Sequence, residues 1–502
     1  MSDFVTVLDQ HARNQPDKEF LRAGERSFGY GEFAELSRRA ASALSAQGLA
    51  AGDRLALLCF NTPGFIVALF GAWRLGAVVV PVNHKLQAAE IEYVLAHSGS
   101  RLCVVDGALA PVAARISLKL RWIATDSAAD GMPLLEDLLA QAAPWTAAAL
   151  PRPQSMAEVL YTSGTTGKPK GCLLTHGSTL TAALSASAAM SISRAERTLI
   201  AMPIWHSSPL NNWMLGTLLM GGSVVLLREY APKAFVEILS RERITLTFGA
   251  PIAFFAPLSL VDVKSYDFSA IRLWIYGGGP LGAEMSRRLA ESYGSDRFVQ
   301  VYGMTEAGPL GTALHPEEAA AKAGSIGRSG MPGVAVELRA ADGRRCSAGE
   351  VGEIHMRSPA MMAGYLDNPQ ATAEAFDADG WYRSGDLARI DEDGYLYVVD
   401  RLRDMIVTGG ENVYSKEVED MLGAHPDVQD VAVIGRPHPE WGETVTAVVV
   451  ARSGRPTDGN ALRDYLQPLL ARYKIPRHFE FVAEVPRTAT GKLLKHLLRV
   501  PA

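Results

Sequence analysis

From Arg54 to Gly303 the chain alternates short apolar runs with amphipathic stretches, and this alternation restricts the fold more than any other feature. RLALLCF from Arg54, AVVVPV at 77–82, RLCVVD at 101–106 and RWIATD at 121–126 are apolar runs of strand length. Between the first two, Ile66, Leu69, Phe70 and Trp73 recur at helical spacing, and a further helical stretch spans Leu86 to His97. Strands apolar on both faces and joined by helices read as βαβ units in a mainly parallel sheet. A second run repeats the alternation: TLIAMPIW (198–205), a helix to Met220, SVVLL, a helix from Pro232, and TLTFG (245–249). A helix from Pro251 to Pro257, RLWIYGG (272–278), a helix from Gly282 and RFVQVYG (297–303) complete it. Two doubly wound α/β halves follow. Ligands sit beyond the carboxyl ends of the strands in such sheets, and YGGGP (276–280) and VYGMTE (301–306) fall at two of those ends. Both should face one cleft.

A chain of 502 residues with 48% hydrophobic content exceeds one comfortable core, so at least two domains are expected. After Pro332 the pattern changes to short strands broken by glycines and acids, which predicts a small β-rich, β-barrel-like subdomain. The expected boundary lies at Leu402 to Arg403: an N-terminal domain 1–402 and a mobile α+β C-terminal domain 403–502. An Ala/Pro-rich connection at 144–154 precedes the segment discussed next, and a helix from Thr179 to Met190 follows it.

That segment, YTSGTTGKPKG from Tyr161 to Gly171, concentrates hydroxyls, glycines and two lysines. Glycines let backbone N–H groups turn toward an anion, Thr162, Ser163, Thr165 and Thr166 add hydroxyl donors, and Lys168 and Lys170 add charge. The spacing differs from a Walker A loop: Gly164 and Gly167 enclose two residues and Pro169 follows Lys168. From composition alone, a phosphate cradle and a solvated hairpin tip are both open.

The net formal charge of −5, without a basic tract, argues against nucleic acid or anionic lipid as partner and for a small molecule. Cys59, Cys103, Cys172 and Cys346 form no CxxC pair, which suggests neither a disulfide framework nor a zinc site and makes the cytoplasm the expected compartment. The N-terminus has no signal-peptide core, and the uncharged window from Ser207 to Leu227 is interrupted by Pro209, Asn211, Asn212, Gly221 and Gly222. It reads as a buried helix followed by a strand, not an integral membrane segment.

Seven motifs in order carry a resemblance: YTSGTTGKPKG at 161, PIWHSS at 203, YGGGP at 276, YGMTE at 302, YRSGDL at 382, DRLRDMIVTGGENVY at 400 and PRTATGKLLK at 486. End to end, the chain resembles the adenylate-forming superfamily, and within it the acyl-CoA synthetases. The resemblance implies ATP, Mg2+ and CoA. It also implies two steps: a carboxylate attacks the α-phosphate of ATP to give acyl-AMP and pyrophosphate, then a thiol takes the acyl group.

On this resemblance Lys492 bridges carboxylate and α-phosphate, Glu306 is both catalytic and the magnesium ligand, and Thr305 stands beside it in the catalytic set. Thr162, Ser163, Gly164, Thr165, Thr166, Gly167, Lys168 and Lys170 would hold the β- and γ-phosphates. Gly278, Gly279 and Pro280 would wall the adenine site with Tyr302 and Gly303, and Asp386 and Arg401 would take the ribose. Gly409, Gly410 and Glu411 would line the pantetheine route after the small domain turns about Arg403, where family members usually carry aspartate or lysine. Trp441 and the run Arg472, Tyr473 and Lys474 would meet the CoA nucleotide. Trp205, His206, Asn211, Gly277, Val301 and Met304 would border the acid, His206 as lining and not as a base.

Around the expected pocket, residues 205–216, 249–255, 277–280 and 301–310, Glu306 is the one charge, so the acid should be fatty, aromatic or otherwise bulky and hydrophobic. Glycines 277 to 279 should leave it room. An amino-acid-activating domain should carry an aspartate after PIWHSS, and none occurs between Trp205 and Leu227. An acyl-AMP ligase serving a carrier protein, a non-catalytic ATP-binding protein and a luciferase-like oxidase are the other readings, with CoA favoured by the intact GGEN. A homodimer is a candidate assembly.

Overall fold

The computed structural model describes residues 3–146, 150–162, 168–279, 281–453, 457–487 and 493–499. The chain divides into two compact units, Met1–Val336 with Met356–Tyr382, and Glu337–His355 with Arg383–Ala502.

The larger unit holds two predominantly parallel sheets. In the first, Met156–Thr162, Val78–Pro81, Arg54–Leu58, Leu102–Asp106 and Arg121–Thr125 lie parallel in that spatial order. Antiparallel strands Lys170–Thr175 and Gly364–Tyr365 extend it beyond Met156–Thr162. In the second, Phe298–Gly303, Leu273–Gly277, Leu246–Gly249, Arg197–Ile200, Ser223–Leu226 and Glu19–Ala23 are parallel neighbours, flanked by antiparallel Gly311–Leu314 and Arg26–Gly29. The two expected α/β halves are present.

Helix Pro63–Leu75 shows why these residues fold as they do. Thr62 caps it by accepting from the Phe65 amide at 3.4 Å, Pro63 supplies a preset φ at the first turn, and Gly76 ends it at φ +76°. Its residues from Pro63 to Arg74 are all buried, so the helix is apolar almost all round. Its single charge, Arg74, is compensated by Asp9 at 2.7 and 2.9 Å and by the Ser37 hydroxyl at 2.8 Å.

Two local expectations are corrected in their bounds, while the buried helix and strand expected over Ser207 to Leu227 are present. The run TLIAMPIW is a strand only over Arg197–Ile200, because Pro203 has no N–H for a ladder and the chain turns away. The apolar window after it forms a π-helix, Ser208–Met214, then a short α-helix, Leu215–Leu219, and strand Ser223–Leu226. The segment after the glycine loop is a strand, Lys170–Thr175, and its helix starts at His176 instead of Thr179. Thr175 and Ser178 cap one another reciprocally there, at 3.0 and 2.8 Å. The N-terminal hairpin, Glu19–Ala23 with Arg26–Gly29, joins the second sheet, not the first to which it is nearer in sequence.

The β-rich subdomain is a four-stranded sheet, ordered Ala335–Arg339, Val351–Arg357, Tyr382–Ile390 and Leu396–Arg401. The C-terminal segment builds a five-stranded sheet on the long hairpin Val428–His438 and Gly442–Ala451. Val418, Leu422, Val433, Val449 and Leu462 form its core. Among the described residues no helix is long and apolar enough to cross a membrane. All four cysteines are free.

Candidate active site

Strands Met156–Thr162 and Lys170–Thr175 are antiparallel partners, with Thr162 opposite Lys170, so the glycine-rich segment connects the ends of a hairpin. Ser163, Gly164, Thr165, Thr166, Gly167, Pro280 and Lys492 lie outside the described residues. Helix Ala88–Ser98 supports the hairpin: Tyr93 donates to the Pro169 carbonyl at 3.3 Å, and His97 Nδ1 lies 2.8 Å from the Tyr161 hydroxyl. Lys168 Nζ stands 5.4 Å from the Tyr93 ring centroid, and Lys170 Nζ 4.6 Å from that of Tyr365. Aromatic faces hold both ammonium groups without neutralising them.

Glu306 occupies the short 3-10 turn Thr305–Ala307 that follows strand Phe298–Gly303. Its Oε1 accepts from the Thr162 hydroxyl at 3.1 Å and from the Tyr365 hydroxyl at 3.2 Å, and its backbone carbonyl accepts from Met362 N at 3.0 Å. Burial and the Glu306 charge push the Tyr365 and Tyr382 hydroxyls well above the ordinary range, so both are neutral donors. The Cys172 thiol is raised for the same two reasons and stays protonated. Tyr365, far from every motif in sequence, is a residue the sequence reading missed; its only signal was an aromatic in the segment AGYL.

Strands Leu273–Gly277 and Phe298–Gly303 are parallel neighbours, with Gly277 beside Val301, so the two predicted motif ends do lie together. A Cβ at Gly278, whose φ is +84°, or at Gly279 would meet nothing within 4 Å, consistent with an open wall. At Gly277 it would approach Val301 Cγ2 to 2.8 Å and Phe248 Cε2 to 3.3 Å. The expectation of free room at Gly277 is therefore corrected: Val301 and Phe248 already fill that space. Tyr302 pairs with Thr312 along the strand, Gly303 packs against Leu310, and the Met304 carbonyl accepts from Ala307 N at 2.9 Å.

PIWHSS crosses from the second sheet toward this cluster. Asn61, in the turn that follows strand Arg54–Leu58 of the first sheet, receives Ile204 N on its Oδ1 at 2.9 Å and donates to the Met202 and Leu227 carbonyls at 3.1 and 3.0 Å. Ser207 Oγ lies 2.9 Å from Thr305 Oγ1, which ties the loop to the turn carrying Glu306. Trp205 is 7% exposed; its ring lies 3.8 Å from that of His206 and its Nε1 donates to His84 Nδ1 at 3.2 Å. Burial, with Lys85 nearby, lowers His206 to about 4, so it is a neutral ring and suits the lining role. Asn211 is fully buried and donates to Glu158, away from the Glu306 cluster's own hydrogen bonds. Asn61, His84 and Ser207 were not anticipated.

In the smaller unit, Asp386 and Arg401 are cross-strand partners, with Arg401 Nε 3.1 Å from Asp386 Oδ1. Asp400 accepts from Ser415 N and Oγ at 2.5 and 2.8 Å, fixing the strand end against the next helix. Gly409 and Gly410, at φ +58° and +86°, turn the hairpin between Ile406–Thr408 and Glu411–Val413. Gly409 N donates to the Trp441 carbonyl at 2.9 Å, so two segments predicted to meet CoA do adjoin. The Arg477 guanidinium covers the Trp441 ring at 3.1 Å, while Lys474 is paired with Glu417 at 2.8 Å. Arg403 is half-buried, which lowers its pKa, and it lies 3.7 Å from Asp404.

The descriptions of two family models match this chain, the AMP-binding enzyme over residues 8–366 and its C-terminal domain over residues 417–492. The chain is 38% identical to a feruloyl-CoA synthase of an Amycolatopsis species over 98% of its length and 97% of that protein's. It is 36% identical to the long-chain-fatty-acid–CoA ligase FadD13 of Mycobacterium tuberculosis, covering 94% and 92%. Among solved structures, the o-succinylbenzoate CoA synthetase of Bacillus subtilis with its acyl-adenylate superimposes with a TM-score of 0.89 at 29% identity, covering 100% and 99%.

Proposed function

This chain belongs to the AMP-binding enzyme family, and from that premise we propose how its own residues carry out the ligation. It is an AMP-forming acid–CoA ligase whose substrate is a hydrophobic carboxylic acid, aromatic or fatty. The observation that carries the residue assignment is Glu306, joined directly to Thr162 at the glycine loop and, through neighbouring Thr305, to Ser207 of PIWHSS.

A carboxylate oxygen attacks the α-phosphorus, forming the acyl–phosphate bond as the bond to the β-phosphate oxygen breaks and its electron pair leaves with pyrophosphate. Lys168 and Lys170 balance the charge that gathers on the leaving group, and Lys492 draws the acid and the α-phosphate together against their mutual repulsion. Thr162 and Tyr365 fix the orientation of the Glu306 carboxylate. Among the described residues no group of three or more His, Cys, Asp and Glu could hold a metal ion. A single carboxylate still suits Mg2+, which binds through one or two carboxylates plus phosphate oxygens, so Glu306 would hold it. When bound, the cation supplies charge neutralisation at the phosphates.

Asp386 and Arg401 hold the ribose. In the second step a CoA thiolate attacks the acyl carbon and AMP departs; Gly409 to Glu411 guide the pantetheine arm and Trp441 meets the nucleotide. Domain 403–502 turns about Arg403 between the steps, so that one segment presents Lys492 and another GGEN. The enzyme works in the cytoplasm on small molecules. Incubating the protein with ATP, Mg2+, CoA and a panel of acids should release AMP with hydrophobic monocarboxylates. Preference for a dicarboxylate or an amino acid would refute the pocket assignment.

A further inference from the structure

A stack of planar groups crosses the carboxyl ends of the two sheets. The Arg228 guanidinium lies 4.7 Å from the Phe60 ring centroid, Phe60 lies 4.6 Å from His84, and His84 meets Trp205 edge-on at 6.2 Å and 86°. Trp205 then lies against His206. The bond from Trp205 Nε1 to His84 Nδ1 settles the chemistry of this stack. An indole N–H can only donate, so Nδ1 is the bare nitrogen and Nε2 carries the proton of a neutral imidazole. Burial lowers the pKa of His84, which keeps the acceptor available, while its Nε2 is buried without a hydrogen-bond partner among the described residues.

The indole is thereby held at one orientation two residues before Ser207, whose bond to Thr305 reaches the Glu306 turn. Phe248 and Trp213 stack at 5.6 Å and 27°, and Phe248 lies with Val301 beside Gly277. A fixed indole wall suits a flat ring. A long flexible chain loses more conformational freedom when it is ordered against such a wall, whereas an aryl group gains from a preset aromatic face.

Resting on the acyl-CoA synthetase reading above, we propose that His84 is a positioning residue that fixes Trp205 as a wall of the acyl site for an aromatic carboxylic acid. An asparagine places its Oδ1 where His84 holds Nδ1, while a glutamine places its amide one carbon farther out. The test is acid-dependent pyrophosphate exchange with a cinnamate-type acid and a saturated C16 acid, in the wild type and in His84→Leu, His84→Gln and His84→Asn. His84→Leu and His84→Gln should raise KM for the aromatic acid about tenfold, the loss of roughly one hydrogen bond, and leave KM for ATP within about twofold. His84→Asn should stay within about threefold of wild type, since it restores the acceptor. Equal impairment by Asn and Leu, an unchanged His84→Leu, or loss spread equally over acid and ATP would overturn the positioning role. Preference of the wild type for the C16 acid would overturn the aromatic assignment and leave the synthetase reading standing. Absence of exchange with every acid would sink that reading itself.

Discussion

The Thr162 hydroxyl donates to Glu306 Oε1 at 3.1 Å, joining the last residue of a strand in one sheet to the turn that ends a strand of the other. The glycine loop begins at the next residue, so this bond sets where the loop starts relative to the carboxylate. Thr162→Val keeps the shape and removes the donor. It should lower kcat/KM for ATP in pyrophosphate exchange about tenfold, while Thr162→Ser retains most activity. Equal activity of the two variants would show that the hydroxyl does not matter.

Replacing Glu306 tests the charge itself. Glu306→Gln keeps an acceptor for Thr162 and Tyr365 yet loses the anion, so adenylation should fall about 100- to 1,000-fold and the Mg2+ concentration for half-maximal rate should rise. The thermal midpoint should stay close to wild type, because the hydroxyl contacts survive. A variant with normal Mg2+ dependence would remove Glu306 from the metal.

Asp386 is 5% exposed and meets Arg401 across a strand pair, an arrangement that holds its carboxylate in one direction. Asp386→Asn loses the charge proposed to accept from two ribose hydroxyls. KM for ATP should rise at least about tenfold with KM for the acid little changed, in line with the loss of charge-assisted hydrogen bonds. A rise confined to the acid would contradict the ribose assignment.

The role proposed for Lys492 separates the two half-reactions. Lys492→Ala should abolish adenylation while sparing thiol transfer from added acyl-adenylate, because the two steps are proposed to use different segments of the C-terminal domain. Similar loss in both half-reactions, followed by stopped-time assays of each, would show that one set of residues serves both.

Much of this was legible because strands buried on both faces must be continuously apolar: Val78–Pro81 and Leu102–Asp106 are buried throughout. The motifs at Gly277 and Val301 could be placed together because parallel strand ends converge. Partnerships made in three dimensions left no such trace. Tyr365 reaches Glu306 from a two-residue strand, Asn61 binds the start of PIWHSS and the residue before it through backbone groups that no sequence pattern marks, and Gly277 is filled by neighbours from two other strands. Strand Lys170–Thr175 escaped notice because its polar start looks like the end of the loop, although its pairing with Met156–Thr162 gives it a ladder.

Glu158 gives a test of the core beneath the loop. It lies on strand Met156–Thr162, is fully buried and accepts from Asn211, while its Oε2 and Asn211 Oδ1 lack partners among the described residues. Burial raises its pKa from 4.5 to about 7, so the fold favours the protonated form. A raised folded pKa contributes stability that is fully present below the unfolded value and is lost as pH rises through about 7. His176 acts in the opposite sense: burial lowers it to about 4, so its contribution is present above 6.5 and is lost as pH falls toward 4. Glu158→Gln keeps the acceptor for Asn211, supplies an amide donor toward Asn211 Oδ1 and never ionises. Denaturant melts should show little difference from wild type at pH 5 and a gain on the order of 2 kcal/mol at pH 8, since each unit of pKa shift corresponds to about 1.4 kcal/mol. The same gap at both pH values would mean that Glu158 does not carry a proton in the fold.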